Sequence, residues 1–269
     1  MESYIFYILM LIITGAGIGF ASGLLGVGGG FIMVPILYWL MTTMGIDPTI
    51  AIRVSLGTSL AVILPTALSG AHGHYRKDAV LLKPAAFLAA TGIMGGIIGG
   101  TIASNIPGDL MTFIFGAAVL IVAFIMIIIR DKGNKRKPRD NIIYYILGGL
   151  FIGIMSGLLG VGGGFITVPF MAIFMRYSMH EAIGTSTAVI VFTSIGGIIS
   201  YIVNGLGIYG LPPYSIGYVN MFQFVFLAGA SIPMAQLGVK AAHNLPSKHL
   251  NYVFIAMLVY IGLKMMGIL

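Results

Sequence analysis

The sequence contains no cysteine. Disulfide frameworks, thiolate-ligated zinc, iron–sulfur clusters and cysteine nucleophiles are therefore excluded. Charge is nearly as scarce: Asp, Glu, Lys and Arg together make up 8% of the 269 residues. A soluble domain carries roughly 25%, so this chain lacks the polar groups to cover a water-facing surface. Acidic side chains number seven against fourteen Lys and Arg, and none sits deep in an apolar stretch. What the chain has instead is 58% hydrophobic residues, 39 glycines and a mean hydropathy of +1.04. These values define an integral membrane protein. The net charge of +7 does not point to nucleic acid. The cations cluster in a few loops, which is a topology signal.

Ten apolar stretches can be read, roughly 4–23, 31–43, 54–71, 84–103, 110–129, 141–157, 165–175, 184–204, 217–239 and 250–266. Crossing a hydrocarbon core of about 30 Å takes about 20 helical residues. Most stretches suffice, but 31–43 and 165–175 are too short, and each follows a glycine run. Six cations between Arg130 and Arg139 place that loop in the cytoplasm. Arg76, Lys77 and Lys83 do the same for the loop after the third stretch, as do Lys240 and Lys248 after the ninth. The uncharged loop 206–216 fits outside. Ten crossings with both termini outside satisfy all four loops. Eight crossings with the short stretches re-entrant are nearly as good.

The chain is built twice. Ser22-Gly-Leu-Leu-Gly26-Val-Gly28-Gly29-Gly30-Phe31-Ile-Met-Val-Pro35 recurs 134 residues later as Ser156 to Pro169 with thirteen of fourteen residues identical. Gly57-Thr58-Ser59-Leu-Ala-Val-Ile63 recurs 127 residues later from Gly184, six of seven identical. Gly15, Gly19 and Gly23 match Gly149, Gly153 and Gly157, and Asn105-Ile-Pro107 echoes Asn244-Leu-Pro246. The expected architecture is an all-α polytopic transmembrane bundle of two homologous halves. Residues 1–129 and 141–269 form the repeats, and the basic stretch 130–140 joins them. Five segments per half, two of them short or broken overall, make the repeats inverted, a plan shared by many secondary transporters. Four spans per half would make them parallel.

A glycine triplet does not sit comfortably inside a helix. The short helix that follows presents amides without intrahelical partners at its start, and with the helix dipole these suit an anion. Gly28, Gly29 and Gly30, with Gly162, Gly163 and Gly164, are therefore candidate substrate-binding residues. The same glycines also suit tight helix crossing. On this reading, a Cβ added at Gly29 or Gly163 should hinder binding more than folding. Thr58, Ser59, Thr185 and Ser186 add paired hydroxyls, which can equally bond back to their own helices. Arg53 and His180 occupy equivalent places near opposite mouths, where either could attract substrate or serve as an interfacial residue. Gly26-Val-Gly28 fails the dinucleotide fingerprint, because Phe31 stands where the third glycine is needed. His72 and His74 read as a solvated interfacial cluster, and Gln223 and Gln236 as buried amides bridging helices. With no carboxylate deep in a span, a cation would lack its counter-charge. The interior inventory of hydroxyls, amides and helix N-termini suits a small anion. No catalytic residue, metal site or cofactor is expected.

The doubled Ser-Gly-Leu-Leu-Gly-Val-Gly-Gly-Gly-Phe-Ile-x-Val-Pro motif, each copy followed by Gly-Thr-Ser, resembles the TauE/SafE family of sulfite exporter-like transporters. The resemblance covers essentially the whole chain. It implies a bacterial or archaeal inner-membrane permease for sulfite, sulfoacetate or related organosulfonates, with seven or eight spans rather than ten. An anion channel, or a carrier of non-sulfur carboxylates, is the alternative. The expected partners are the small anion and the bilayer, with no nucleic acid; a homodimer is compatible with the chain. His180-Glu-Ala-Ile follows the family form, while Arg53-Val-Ser-Leu departs from it, so the two half-sites are not equivalent. The topology has a direct check, because a chain without cysteine accepts single reporters. Cysteines placed at Glu2 and at Asn134 should be labelled from opposite faces of the membrane; labelling of both from one face overturns the inverted five-plus-five scheme.

Overall fold

The computed structural model describes residues 2–26, 28–128, 139–242 and 248–268. Most of the basic joint, 129–138, lies outside the described residues, as does His243. The described chain forms ten helices: α1 (Glu2–Leu25), α2 (Gly30–Thr43), α3 (Pro48–Tyr75), α4 (Leu82–Asn105), α5 (Gly108–Ile128), α6 (Ile142–Leu159), α7 (Gly164–Pro169), α8 (Met179–Gly205), α9 (Met221–Ala242) and α10 (Lys248–Met265). A π-turn, Phe170–Phe174, continues α7. A small hairpin precedes α9, pairing β1 (Ser215–Ile216) with β2 (Val219–Asn220). Seven helices, α1, α3, α4, α5, α6, α8 and α9, are long and apolar enough to cross a membrane. The protein is thus a multi-pass membrane bundle, and the two short elements, α2 and α7, fall where the sequence predicts them.

Local chemistry explains the element boundaries. Asp47 caps α3, its carboxylate accepting from the amides of Thr49 and Ile50 at 2.9 and 3.1 Å, and Pro48 occupies the first helical position. Ser178 and Glu181 form a reciprocal capping box at the start of α8. Glu181 is thereby engaged in holding a helix end. α1 and α6 stop at Gly26 and Gly160, where φ is +65° and +64°. The chain then doubles back. Gly29 lies against Ile18, about two turns up α1, and Gly163 against Ile152 on α6. Both short helices therefore start inside the bundle.

The long helices meet through glycine rows. Gly15, Gly19 and Gly23 of α1 face the backbone of Leu227, Ser231 and Ala235 of α9, so these helices run parallel. Gly149, Gly153 and Gly157 of α6 face Leu88, Gly92 and Gly96 of α4 in the same way. Each half thus lays its first helix on the fourth helix of the other. The equivalent central helices run antiparallel: Gly57 of α3 approaches Tyr201 of α8, and Gly70 approaches Thr187. Such backbone-on-backbone approach is the characteristic packing of helices in lipid, where association depends on close fit. A Cβ on Gly153 would collide with the Gly92 carbonyl, whereas one on Gly17 meets nothing within 4 Å. Gly153→Ala should therefore lower stability by about 1–3 kcal/mol, read as an earlier thermal transition in detergent, and Gly17→Ala should leave it unchanged.

Candidate functional site

The two glycine breaks meet at the centre of the bundle. Positions 28 and 30 lie so close to Val161 that a Cβ on Gly28 would stand 2.8 Å from the Val161 carbonyl oxygen. A Cβ on Gly30 would stand 2.7 Å from the Val161 Cα. Phe31 and Phe165, the second residues of α2 and α7, touch edge to face with ring centroids 4.8 Å apart. Ile63 of α3 and Ile190 of α8, equivalent residues of the two halves, both border Gly28 and Gly162. At the start of α2 the first bonded amides are those of Ile32 and Met33, both directed to the Gly29 carbonyl. Ile166 and Thr167 repeat this on Gly163.

Gly29 and Gly163 have φ of +70° and +79°, a conformation that side chains disfavour. A Cβ at either would also press on Ile18 or Ile152. The expectation that alanine here would impair binding more than folding is therefore corrected: these glycines are demanded by the backbone itself.

Hydroxyls surround the breaks. Ser186 donates to the Gly26 carbonyl at 2.9 Å and lies 3.4 Å from that of Gly164. Thr193 donates to Gly162 at 2.9 Å, and Thr167 to Gly163 at 2.9 Å. Three further hydroxyls, those of Ser59, Ser156 and Ser194, are buried without a hydrogen-bond partner. Ser194 borders Gly162 and Ser156 borders Gly163. Buried polar atoms without partners are uncommon and call for a reason. Donors left open beside a helix N-terminus can receive the oxygens of a small anion. Ser156 and Ser194 were not singled out from the sequence, although Ser156 opens the second glycine motif.

Thr58 and Thr185 hold a different position. The Thr58 hydroxyl accepts from the Asn220 amide at 2.9 Å, just before α9, and that of Thr185 accepts from the Leu81 amide at 3.0 Å, just before α4. Each threonine thus ties down the entry to a helix of the other half. Arg53 and His180 do not reach the centre. Arg53 is six residues before Ser59 on α3, about 9 Å along the axis, and is half-buried at the end of the bundle that carries the hairpin. His180 is exposed at the start of α8, at the opposite end beside the loop with Arg76 and Lys77.

Among the other polar residues, Gln223 bridges α9 to α1, donating to the Tyr7 hydroxyl at 2.8 Å, and Gln236 bridges α9 to Ser69 of α3. His74 corrects the expectation of a solvated cluster: it is 2% exposed, with Nε2 3.2 Å from the Gly23 carbonyl oxygen. Asp47, Asp78, Asp109 and Asp140 are exposed at helix ends or in loops. Outside the membrane segments, Asp140 pairs with Lys83 at 2.7 Å, a hydrogen bond that holds its carboxyl below the usual range. Among the described residues no group of acidic or histidine side chains could hold a metal ion.

Residues 11–265 match the family described as Sulfite exporter TauE/SafE. The chain belongs to the TauE/SafE family. Its relatives include a probable membrane transporter protein of Haemophilus influenzae, 28% identical over 96% of this chain and 98% of that one. Another from Methanocaldococcus jannaschii is 29% identical over 96% and 94%. The probable membrane transporter protein YdhB of Bacillus subtilis is 31% identical over 73% of this chain and 80% of its own. No solved structure matches. In this TauE/SafE protein the threonine and serine of each Gly-Thr-Ser segment have separable tasks. Thr58→Val leaves the buried Asn220 amide unpaired and should cost about 1–3 kcal/mol of stability. Ser59→Ala removes a hydroxyl that has no partner and should leave thermal stability in detergent unchanged.

Proposed function

We propose that this membrane transporter is a permease for small sulfur-containing anions, such as sulfite, sulfoacetate or related organosulfonates. The observation that carries the reading is the pair of open hydroxyls beside the second glycine break, Ser194 at Gly162 and Ser156 at Gly163, with a third buried open hydroxyl, Ser59, on α3. These groups can donate to oxyanion oxygens, and the N-terminus of α2 adds a favourable potential. Among the described residues no acidic side chain is buried nearby to favour a cation. Gly28–Gly30 and Gly162–Gly164 supply the close approach, Ser59 and Ser186 the hydroxyls on the central helices, and Thr58 and Thr185 the ties that keep those helices in place.

In this reading the halves, 1–129 and 141–269, are inverted repeats joined by the basic stretch 130–140. The antiparallel contact of α3 with α8 supports it, as does the reciprocal seating of α1 on α9 and α6 on α4. The joint faces the cytoplasm, and both termini lie outside. A substrate site at the repeat interface then sits near the bilayer midplane.

Transport in proteoliposomes tests the proposal. Uptake of sulfite or sulfoacetate should saturate and should be accelerated by the same anion trapped inside. Ser59→Ala and Ser194→Ala should each weaken apparent affinity by about 1 kcal/mol, roughly fivefold, for one lost hydrogen bond. Flux that rises without saturation and shows no exchange identifies a channel. Uptake of carboxylates in preference to every sulfur anion refutes the substrate class.

A further inference from the structure

The end of the bundle opposite the basic loops is closed by the hairpin. Tyr218, at its turn, is 1% exposed, and its carbonyl oxygen is pressed against Gly57 of α3. Its amide donates to the Tyr201 carbonyl at 3.1 Å. Two residues on, Asn220 is tied to Thr58. The hairpin therefore dips into the bundle and sits above the central hydroxyls.

Arg53 holds this plug from the side. Its Nη1 donates to the Tyr218 hydroxyl at 3.2 Å, and its Nη2 to the Ile106 carbonyl at 3.1 Å. The guanidinium carbon lies 5.7 Å from the Tyr218 ring centre. All of these partners are uncharged. Among the described residues no carboxylate pairs with Arg53, and its Nε is buried without a partner. A half-buried cation with an open donor and only neutral partners is an incomplete anion site.

The other end of the bundle differs. Ala79 presses its carbonyl on Gly184 as Tyr218 does on Gly57, and Leu81 is tied to Thr185 as Asn220 is to Thr58. Yet alanine has no hydroxyl to offer, and the residue matching Arg53 is His180, which is exposed. The arginine–tyrosine latch of Arg53 and Tyr218 has no sequence counterpart at that end.

We propose that Arg53 is an outer anion-receiving site, and that a small oxyanion docking there loosens the Tyr218 plug. The inference rests on the anion-transport reading and adds an entry step to it. A charged oxyanion satisfies Nε and outcompetes the neutral phenol for the guanidinium, because charge-assisted hydrogen bonds are about twice as strong as neutral ones. With the phenol released, the hairpin loses its tie to Arg53 and keeps those of the Tyr218 amide to Tyr201 and of Asn220 to Thr58, and the path toward Ser59 and Ser194 becomes easier to open. The chemistry is that of an oxyanion, and a lipid phosphate shares it, so the test separates the two.

Val219 is 3% exposed within the hairpin, and the chain has no other cysteine to interfere with a Val219→Cys reporter. Its reaction with a membrane-impermeant maleimide is followed in lipid-free dodecyl maltoside micelles and in phosphatidylcholine vesicles. Sodium sulfate, sodium sulfoacetate or sodium chloride is added at matched ionic strength. We expect labelling to become severalfold faster with sulfate or sulfoacetate than with chloride, in micelles and vesicles alike. Arg53→Gln should abolish that response. Tyr218→Phe, which keeps the ring and removes the hydroxyl, should label fast without any anion. Absence of an anion response, or its survival in Arg53→Gln, overturns the proposal. Acceleration on reconstitution alone assigns Arg53 to lipid phosphate and overturns it as well. Sulfoacetate uptake by the same vesicles separates the two readings: uptake without a labelling response refutes only the outer site, and a labelling response without uptake of any anion refutes only transport.

Discussion

Inside a bilayer there is no water to satisfy a broken helix, so every carbonyl and amide freed at a kink needs a partner from the protein. This molecule breaks its chain in the middle of the bundle twice, and the rest of the architecture follows from closing those breaks. Ser186, Thr193 and Thr167 cover the carbonyls of Gly26, Gly162 and Gly163. Ser186 belongs to one half and Gly26 to the other, so that bond also joins the halves. The two breaks also lie in direct contact, and that contact needs residues without side chains. Glycine rows on α1 and α6 then let the outer helices close around them.

The two halves repeat each other in sequence and in contacts, but not in every hydrogen bond. Tyr201 donates to the Gly157 carbonyl, and His74, its counterpart 127 residues earlier, approaches the Gly23 carbonyl. That pair is preserved. Ser186 has two carbonyls within reach, whereas its counterpart Ser59 has none. Near-identical segments are thus held in unlike bonding states.

Much of this was legible in the amino-acid order. Apolar length located the spans, the glycine triplets located the breaks, and the doubled motif revealed the two halves. These features are local, since each is set by residues within a turn or two of one another. What was not legible depends on distant pairing. Thr58 looked like a donor for substrate, but the Asn220 amide that its oxygen accepts from is 162 residues away. His74 looked like part of a wet cluster with His72, yet only the packing of α1 beside α3 shows that it is buried. In sequence the hairpin is simply part of an uncharged outer loop, because nothing in its composition says that Tyr218 folds inward. Ser194 is one hydroxyl among several in an apolar helix, and only its place beside Gly162 distinguishes it.

The reciprocal caps have a consequence for how the protein is made. The Leu81 amide at the start of α4 is met by Thr185, and the groove of Gly92 and Gly96 is filled by α6. Both partners come later in the chain than the elements they complete. Without those partners the first half would present an unsatisfied amide and bare glycine surfaces, the features that invite pairing with the wrong helix. The second half therefore completes the folding of the first, and the order of synthesis makes the nascent first half the stage most in need of protection.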